Sequence, residues 1–195
     1  MTRLLLVDLD EDLVAAWQVA FAAQIDEGTV EVRQGSLLDA LPEVDAVLTA
    51  GNSYGQMDGG VDRALSQHWP SLQRSVWAAL GDDFHGYLPV GSASVVPTGD
   101  DSCRWLVYAP TMRVPMPLVG GLDMAAHDAF WAALLAVGRI AEPVARIAAP
   151  GFGTGYGRLR PERAAQLMAA AFTLWKLPST TQISHREALL RRREG

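Results

Sequence analysis

The chain has 195 residues, of which 49% are apolar and 19% charged, with a formal net charge of −6. That length supports one domain with a sizeable buried core, and no apolar run is long enough to span a bilayer. The acidic balance excludes a broad nucleic-acid surface, because phosphate contacts need clustered cations.

Arg3–Val7 reads as a short apolar strand that turns acidic at once in Asp8-Leu9-Asp10-Glu11-Asp12. Asp10 is placed to cap a helix running to about Gln24, with further acid in its first turn. Residues 30–33 predict a second strand and 46–49 a third. Helical spacing then runs from Val61 to about Leu80, with Pro70 restarting or kinking it. Residues 91–97 and 105–109 predict a pair of strands joined by the polar turn Thr98-Gly99-Asp100-Asp101-Ser102. Residues 122–137, rich in Ala, Leu and Trp, suit a buried helix. Residues 145–149 predict another strand, and 161–177 a last long helix with Pro161 at its start.

Strands alternating with helices at these lengths predict a three-layer α/β/α domain over residues 1–178, with a mixed, largely parallel central sheet. Residues 179–195 form a C-terminal tail, with one more short helix over 184–193. Arg191-Arg192-Arg193 would end that helix, where positive charge suits the dipole. No repeat or low-complexity segment interrupts the chain. The lone cysteine, Cys103, excludes an internal disulfide, and the N-terminus lacks the small-residue cleavage site of a signal peptide. Both features imply a cytoplasmic protein.

In an open α/β sheet, ligands bind beyond the carboxyl ends of the strands, where loops lead into helices. Two loops there are glycine-rich. One is Ala50-Gly51-Asn52-Ser53-Tyr54-Gly55-Gln56-Met57-Asp58-Gly59-Gly60-Val61-Asp62. The other is Pro150-Gly151-Phe152-Gly153-Thr154-Gly155-Tyr156-Gly157. Glycine at alternate positions removes Cβ atoms and lets main-chain N–H groups approach an anion, and Thr154 adds a hydroxyl donor.

Taken together, the two loops resemble the macro domain, the ADP-ribose-binding fold. The matching features are an apolar strand ending in Asn52, a glycine pair, and Val61-Asp62 leading into a helix. Gly151-Phe152-Gly153-Thr154-Gly155 resembles that family's phosphate-cradling loop, and the likeness spans about residues 30 to 175. The resemblance implies binding of ADP-ribose or a related nucleotide-sugar. The ten-residue step from Asn52 to Asp62 is the one expected of that family's deacylating and ADP-ribosyl-hydrolysing members, so the resemblance further implies hydrolysis of an ADP-ribose derivative: an ADP-ribosylated protein, an O-acyl ester or a 1″-phosphate. A reader that binds without catalysis is the alternative.

By resemblance, Asn52 holds the distal ribose, using both halves of its amide, and Asp62 is the acid–base residue. At a helix start the dipole favours an ionised Asp62, and a plain helix-capping role competes with catalysis. The backbones of Gly59, Gly60 and Val61 and of Gly151 and Gly153 to Tyr156 would clasp the diphosphate. Phe152 or Tyr156 would cover the ligand; a core position is the alternative for either and the safer reading for Phe152.

The chain departs from the family at four places. Ser36 stands where an adenine-binding Asp is usual, which shifts that role towards Asp8 or Asp10. Thr49 replaces an Asn, Asp58 replaces a glycine beside the diphosphate, and Ser66 replaces a His. No cofactor is expected. His68, His85, His127 and His185 are isolated, so no metal site is expected either. A phosphoacceptor reading of Asp8 or Asp10 fails for want of a strand-end lysine, since Lys176 is the sole lysine.

Overall fold

The computed structural model describes residues 2–178. The short helix expected over 184–193 lies outside that range. Six strands form one sheet: β1 (Arg3–Asp8), β2 (Val30–Gln34), β3 (Ala46–Asn52), β4 (Ser94–Pro97), β5 (Trp105–Met112) and β6 (Arg146–Ala149). Their spatial order is β2-β1-β6-β3-β5-β4. Every pairing is parallel except that of β4 with β5, whose antiparallel register sets Val95 opposite Val107. The sheet is thus mixed and largely parallel, as the alternating pattern predicts.

Among the described residues, seven α-helices cover its faces: α1 (Glu11–Ala20), α2 (Ala22–Asp26), α3 (Leu37–Ala40), α4 (Gly60–His68), α5 (Leu72–Phe84), α6 (Met124–Val137) and α7 (Pro161–Lys176). Side chains alternate across a strand, so β1 feeds two cores. Leu4 and Leu6 pack on one face with Trp17, Phe130 and Phe172 from α1, α6 and α7. Leu5 and Val7 pack on the other with Leu65, Leu72 and Val76 from α4 and α5. Burying such a side chain fully contributes about 2 kcal/mol. A strand apolar on both faces is what a sheet covered on both sides requires.

Local chemistry sets the element ends. Asp10 caps α1 by accepting from the N–H groups of Asp12 (3.0 Å) and Leu13 (3.3 Å). The helix expected to reach Gln24 breaks at Phe21, where the ring turns into the core edge-on to Phe172 at 5.9 Å. The helical stretch after Val61 divides at Trp69–Ser71, around Pro70. β3 runs three residues beyond the expected strand and takes in Gly51 and Asn52, because β5 also runs on to Met112 and keeps pairing with it. Trp77 and Trp131 are exposed on the outer faces of α5 and α6. Among the described residues, no helix is long and apolar enough to cross a membrane.

Candidate functional site

The carboxyl ends of β1, β3, β5 and β6 open onto one cleft of about 220 Å³. Its walls are the two glycine-rich loops, and they meet at the rim. A Cβ added to Gly59 would lie 2.5 Å from the ring of Tyr156, a residue 57% exposed. Asn52, Gly59, Gly60, Val61 and Asp62 line one side, and Gly151, Gly153, Thr154, Gly155 and Tyr156 the other. The structure therefore gathers nearly all the residues singled out in the sequence around one hollow.

Phe152 is the exception, and it is a correction. Its ring is 0% exposed and stacks edge-on against Phe130 in the core, at 5.0 Å between centroids. It anchors the loop from beneath. Only Tyr156 is placed to cover a ligand. Gly153 sits at φ 82°, a conformation that strains any side-chain-bearing residue. That turn lets the Gly153 carbonyl accept from Leu159 N–H at 3.0 Å and close the loop on itself. Asp8 fixes the loop's start: its carboxylate accepts from the N–H groups of Gly151 and Asp10, each at 3.1 Å.

Asp62 occupies the first turn of α4 and is 7% exposed. Thr49, buried on β3, donates its hydroxyl to Asp62 Oδ1. Asp62 makes no capping bond, and Gly59 leaves the helix start without a side-chain cap. The simple capping role is thereby corrected. So is the expectation of a readily ionised carboxylate. Burial, opposed by the Thr49 hydrogen bond and aided by the charge of Asp58, pushes Asp62 up to about 7. Desolvation outweighs the helix dipole here, as it does for carboxyl groups shut away from water.

Asn52 is also reassigned in part. Its Oδ1 accepts from Tyr54 N–H (3.1 Å) and Gln56 N–H (3.3 Å), and its Nδ2 donates to Gln56 O (2.8 Å). Both lone pairs of Oδ1 are spent inside the loop, so one Nδ2 hydrogen remains for a ligand rather than both halves of the amide. The side chain's first task is to shape residues 52–56.

A residue unmarked in the sequence secures this corner. The buried Tyr108 hydroxyl donates to Asn52 O (3.0 Å) and accepts from Asn52 N–H (2.9 Å). Its oxygen lies where a Cβ of residue 51 would fall, so only glycine fits there. The one available signal was the Gly51-Asn52 dipeptide itself, which marks a close approach without naming the partner.

Two of the family departures have structural roles. Ser36 caps α3 by accepting from Leu38 N–H at 3.2 Å. Ser66, in the place of the family's His, donates to Met57 O (3.1 Å) and Arg63 O (3.0 Å). A second hollow of about 360 Å³ adjoins the cleft. It shares Asp8, Gly60 and Val61 with it and adds Leu9, Ser36 and Leu38. Asp10 is committed to its cap, whereas Asp8 stands at the junction.

Asp8, Asp58 and Asp62 line the cleft, and no Lys, Arg or His among the described residues does. An anionic ligand would be held by amide N–H groups and one helix N-terminus rather than by cations. No group of three His, Cys, Asp or Glu side chains among the described residues is placed to hold a metal ion. Cys103 is buried, with its thiol pushed up to about 12 by desolvation, so it is a packing residue.

A three-layer domain with a glycine-walled cleft at the carboxyl edge of its sheet places the chain among the α/β proteins whose ligand sites lie beyond the strand ends. The family model described as Macro domain matches residues 48–168. The chain belongs to the macro domain family. Among solved structures, the macrodomain of Mycobacterium tuberculosis DarG aligns with a TM-score of 0.59 at 23% identity, covering 72% of this chain and 87% of that one. The Oceanobacillus iheyensis macrodomain with ADP aligns at 0.57 and 16% identity, covering 77% and 81%. Thermosipho africanus DarTG in complex with ADP-ribose aligns at 0.56 and 15%, covering 79% of this chain and 43% of that one.

Proposed function

We propose that this cleft binds ADP-ribose and hydrolyses an ADP-ribose derivative, at the anomeric carbon of the distal ribose or at an ester upon it. The diphosphate would lie between the uncapped start of α4 and the amides of residues 151–157. Adenine would take the adjoining apolar hollow beside Leu9 and Leu38, with Asp8 as the acceptor for its amino group. A length of ligand spanning both hollows fits their shared wall at Gly60 and Val61.

One observation carries the catalytic half: Asp62 is a buried carboxyl, facing this hollow, whose acidity is drawn to about 7. A group titrating near neutrality can both take and return a proton. In the ionised form Asp62 accepts a proton from water as the water oxygen bonds to the anomeric carbon. The bond to the leaving group breaks as the new one forms, and Asp62 then returns that proton to the leaving group. Thr49 holds the carboxylate in place for that transfer.

A reader that binds without turnover is favoured by a different observation. Ser66 turns its hydroxyl to backbone carbonyls and offers no second acid–base group beside Asp62. Incubation with ADP-ribosylated protein, an O-acyl ester and the 1″-phosphate, with free ADP-ribose as the readout, separates the two. Asp62→Asn should abolish turnover and leave affinity within about tenfold, roughly 1.4 kcal/mol. Full turnover in that variant removes Asp62 from the chemistry, and no turnover in the parent protein with intact binding makes it a reader.

A further inference from the structure

Thr111 has no part in the reading so far, yet it is 1% exposed, lines the cleft, and its hydroxyl has no hydrogen-bond partner in the protein. A buried hydroxyl left unpaired is costly, and proteins retain few of them. Its position is specific. The β3–β5 ladder pairs Gly51 with Pro110 and then Asn52 with Met112, so Thr111 is the extra residue of a bulge. Bulges beside functional sites re-aim a side chain that regular pairing would direct elsewhere. This one lies next to Asn52, whose amide keeps a single hydrogen for a ligand.

We propose that Thr111 is a ligand-contacting residue that hydrogen-bonds a hydroxyl of the sugar seated beside Asn52, and so selects ligands carrying a distal ribose over those ending at the diphosphate. A threonine hydroxyl both donates and accepts, as a sugar hydroxyl does, whereas a phosphoryl oxygen would use only its donor. With Asn Oδ1 consumed inside its own loop, Thr111 supplies the acceptor the Asn52 amide cannot. The inference rests on the ADP-ribose reading of the cleft.

The test is titration calorimetry of the wild-type protein, Thr111→Val and Thr111→Ser with ADP-ribose and with ADP, together with the melting temperature of each free protein. Valine keeps the shape and removes the hydroxyl. It is expected to weaken ADP-ribose about tenfold while changing ADP by less than about twofold, and serine should restore most of the ADP-ribose affinity. Because the hydroxyl has no protein partner, the free Val variant should melt no lower than wild type. Unchanged ADP-ribose affinity in Thr111→Val overturns the proposal, as does equal weakening of both ligands. A lower melting point that serine repairs also overturns it, by giving the hydroxyl a structural role. Wild-type protein that binds neither ligand fails differently: it removes the ADP-ribose reading itself.

Discussion

Replacing Asp62 with Asn changes one charge and almost no volume, so its effect on stability reports the burial of that carboxyl directly. Asp62 sits near 7 in the folded protein, against an ordinary value of 3.8. The native state therefore keeps a proton where the unfolded chain has lost it, and stability must fall as pH rises from about 4 to about 7. A rise of that size corresponds to about 4 kcal/mol at full ionisation. Between pH 5 and pH 8 the wild-type protein should lose about 2–3 kcal/mol that Asp62→Asn does not lose. Asn can still take the Thr49 hydrogen bond, so that contact survives the substitution. Urea unfolding of both proteins at half-unit pH steps measures the difference, and subtracting the variant cancels every other titrating group. Parallel curves across the window would refute the claim that desolvation governs this carboxyl. A wild type gaining stability relative to the variant with rising pH would show the helix dipole and Thr49 to dominate instead.

Two further substitutions probe the walls. Asp58→Asn removes a charge that raises Asp62 and faces the same cleft. It should move the acid limb of the pH–rate profile downward and tighten ADP-ribose several-fold, about 1 kcal/mol, with the gain shrinking in high salt. Calorimetry in 50 and 500 mM salt reads both, and an affinity that falls would place Asp58 among the ligand's donors' partners rather than its repellents. Gly51→Ala forces a methyl into the Tyr108 hydroxyl and should cost about 1–3 kcal/mol in thermal unfolding, with ligand affinity falling alongside. An unshifted melting temperature would mean that the Tyr108–Asn52 brace is not rigid.

Much of the architecture was legible because it rests on period and punctuation. Strand β1 is apolar from Leu4 to Val7, Asp10 and Pro161 mark helix starts, and Pro70 divides α4 from α5. The boundaries that went astray are those set by tertiary pairing. β3 and β5 each continue past their expected ends because each supplies the other's hydrogen bonds, a fact no local window contains. The break at Phe21 follows from a distant ring, Phe172, that offers it a place in the core.

The cleft shows the same division at the level of side chains. Glycine-rich loops at strand ends announce themselves, because missing Cβ atoms are a property of the residues concerned. What those loops do to a carboxyl is a property of the surroundings. Asp62 at a helix start reads as an ionised cap; buried beside Asp58, with the Thr49 hydrogen bond only partly offsetting that, it becomes a group near neutrality. Asn52 reads as a ligand amide, but the backbone of Tyr54 and Gln56 claims most of it. Tyr108 lies in a strand that reads as core, yet its hydroxyl bonds the loop's backbone, and Thr111, beyond the expected end of that strand, is the bulge residue beside the hollow whose hydroxyl has no protein partner. Chemistry at this site therefore follows from how far β5 is carried past its apolar run, because a slip of one residue in that pairing would turn its side chains to the opposite face of the sheet.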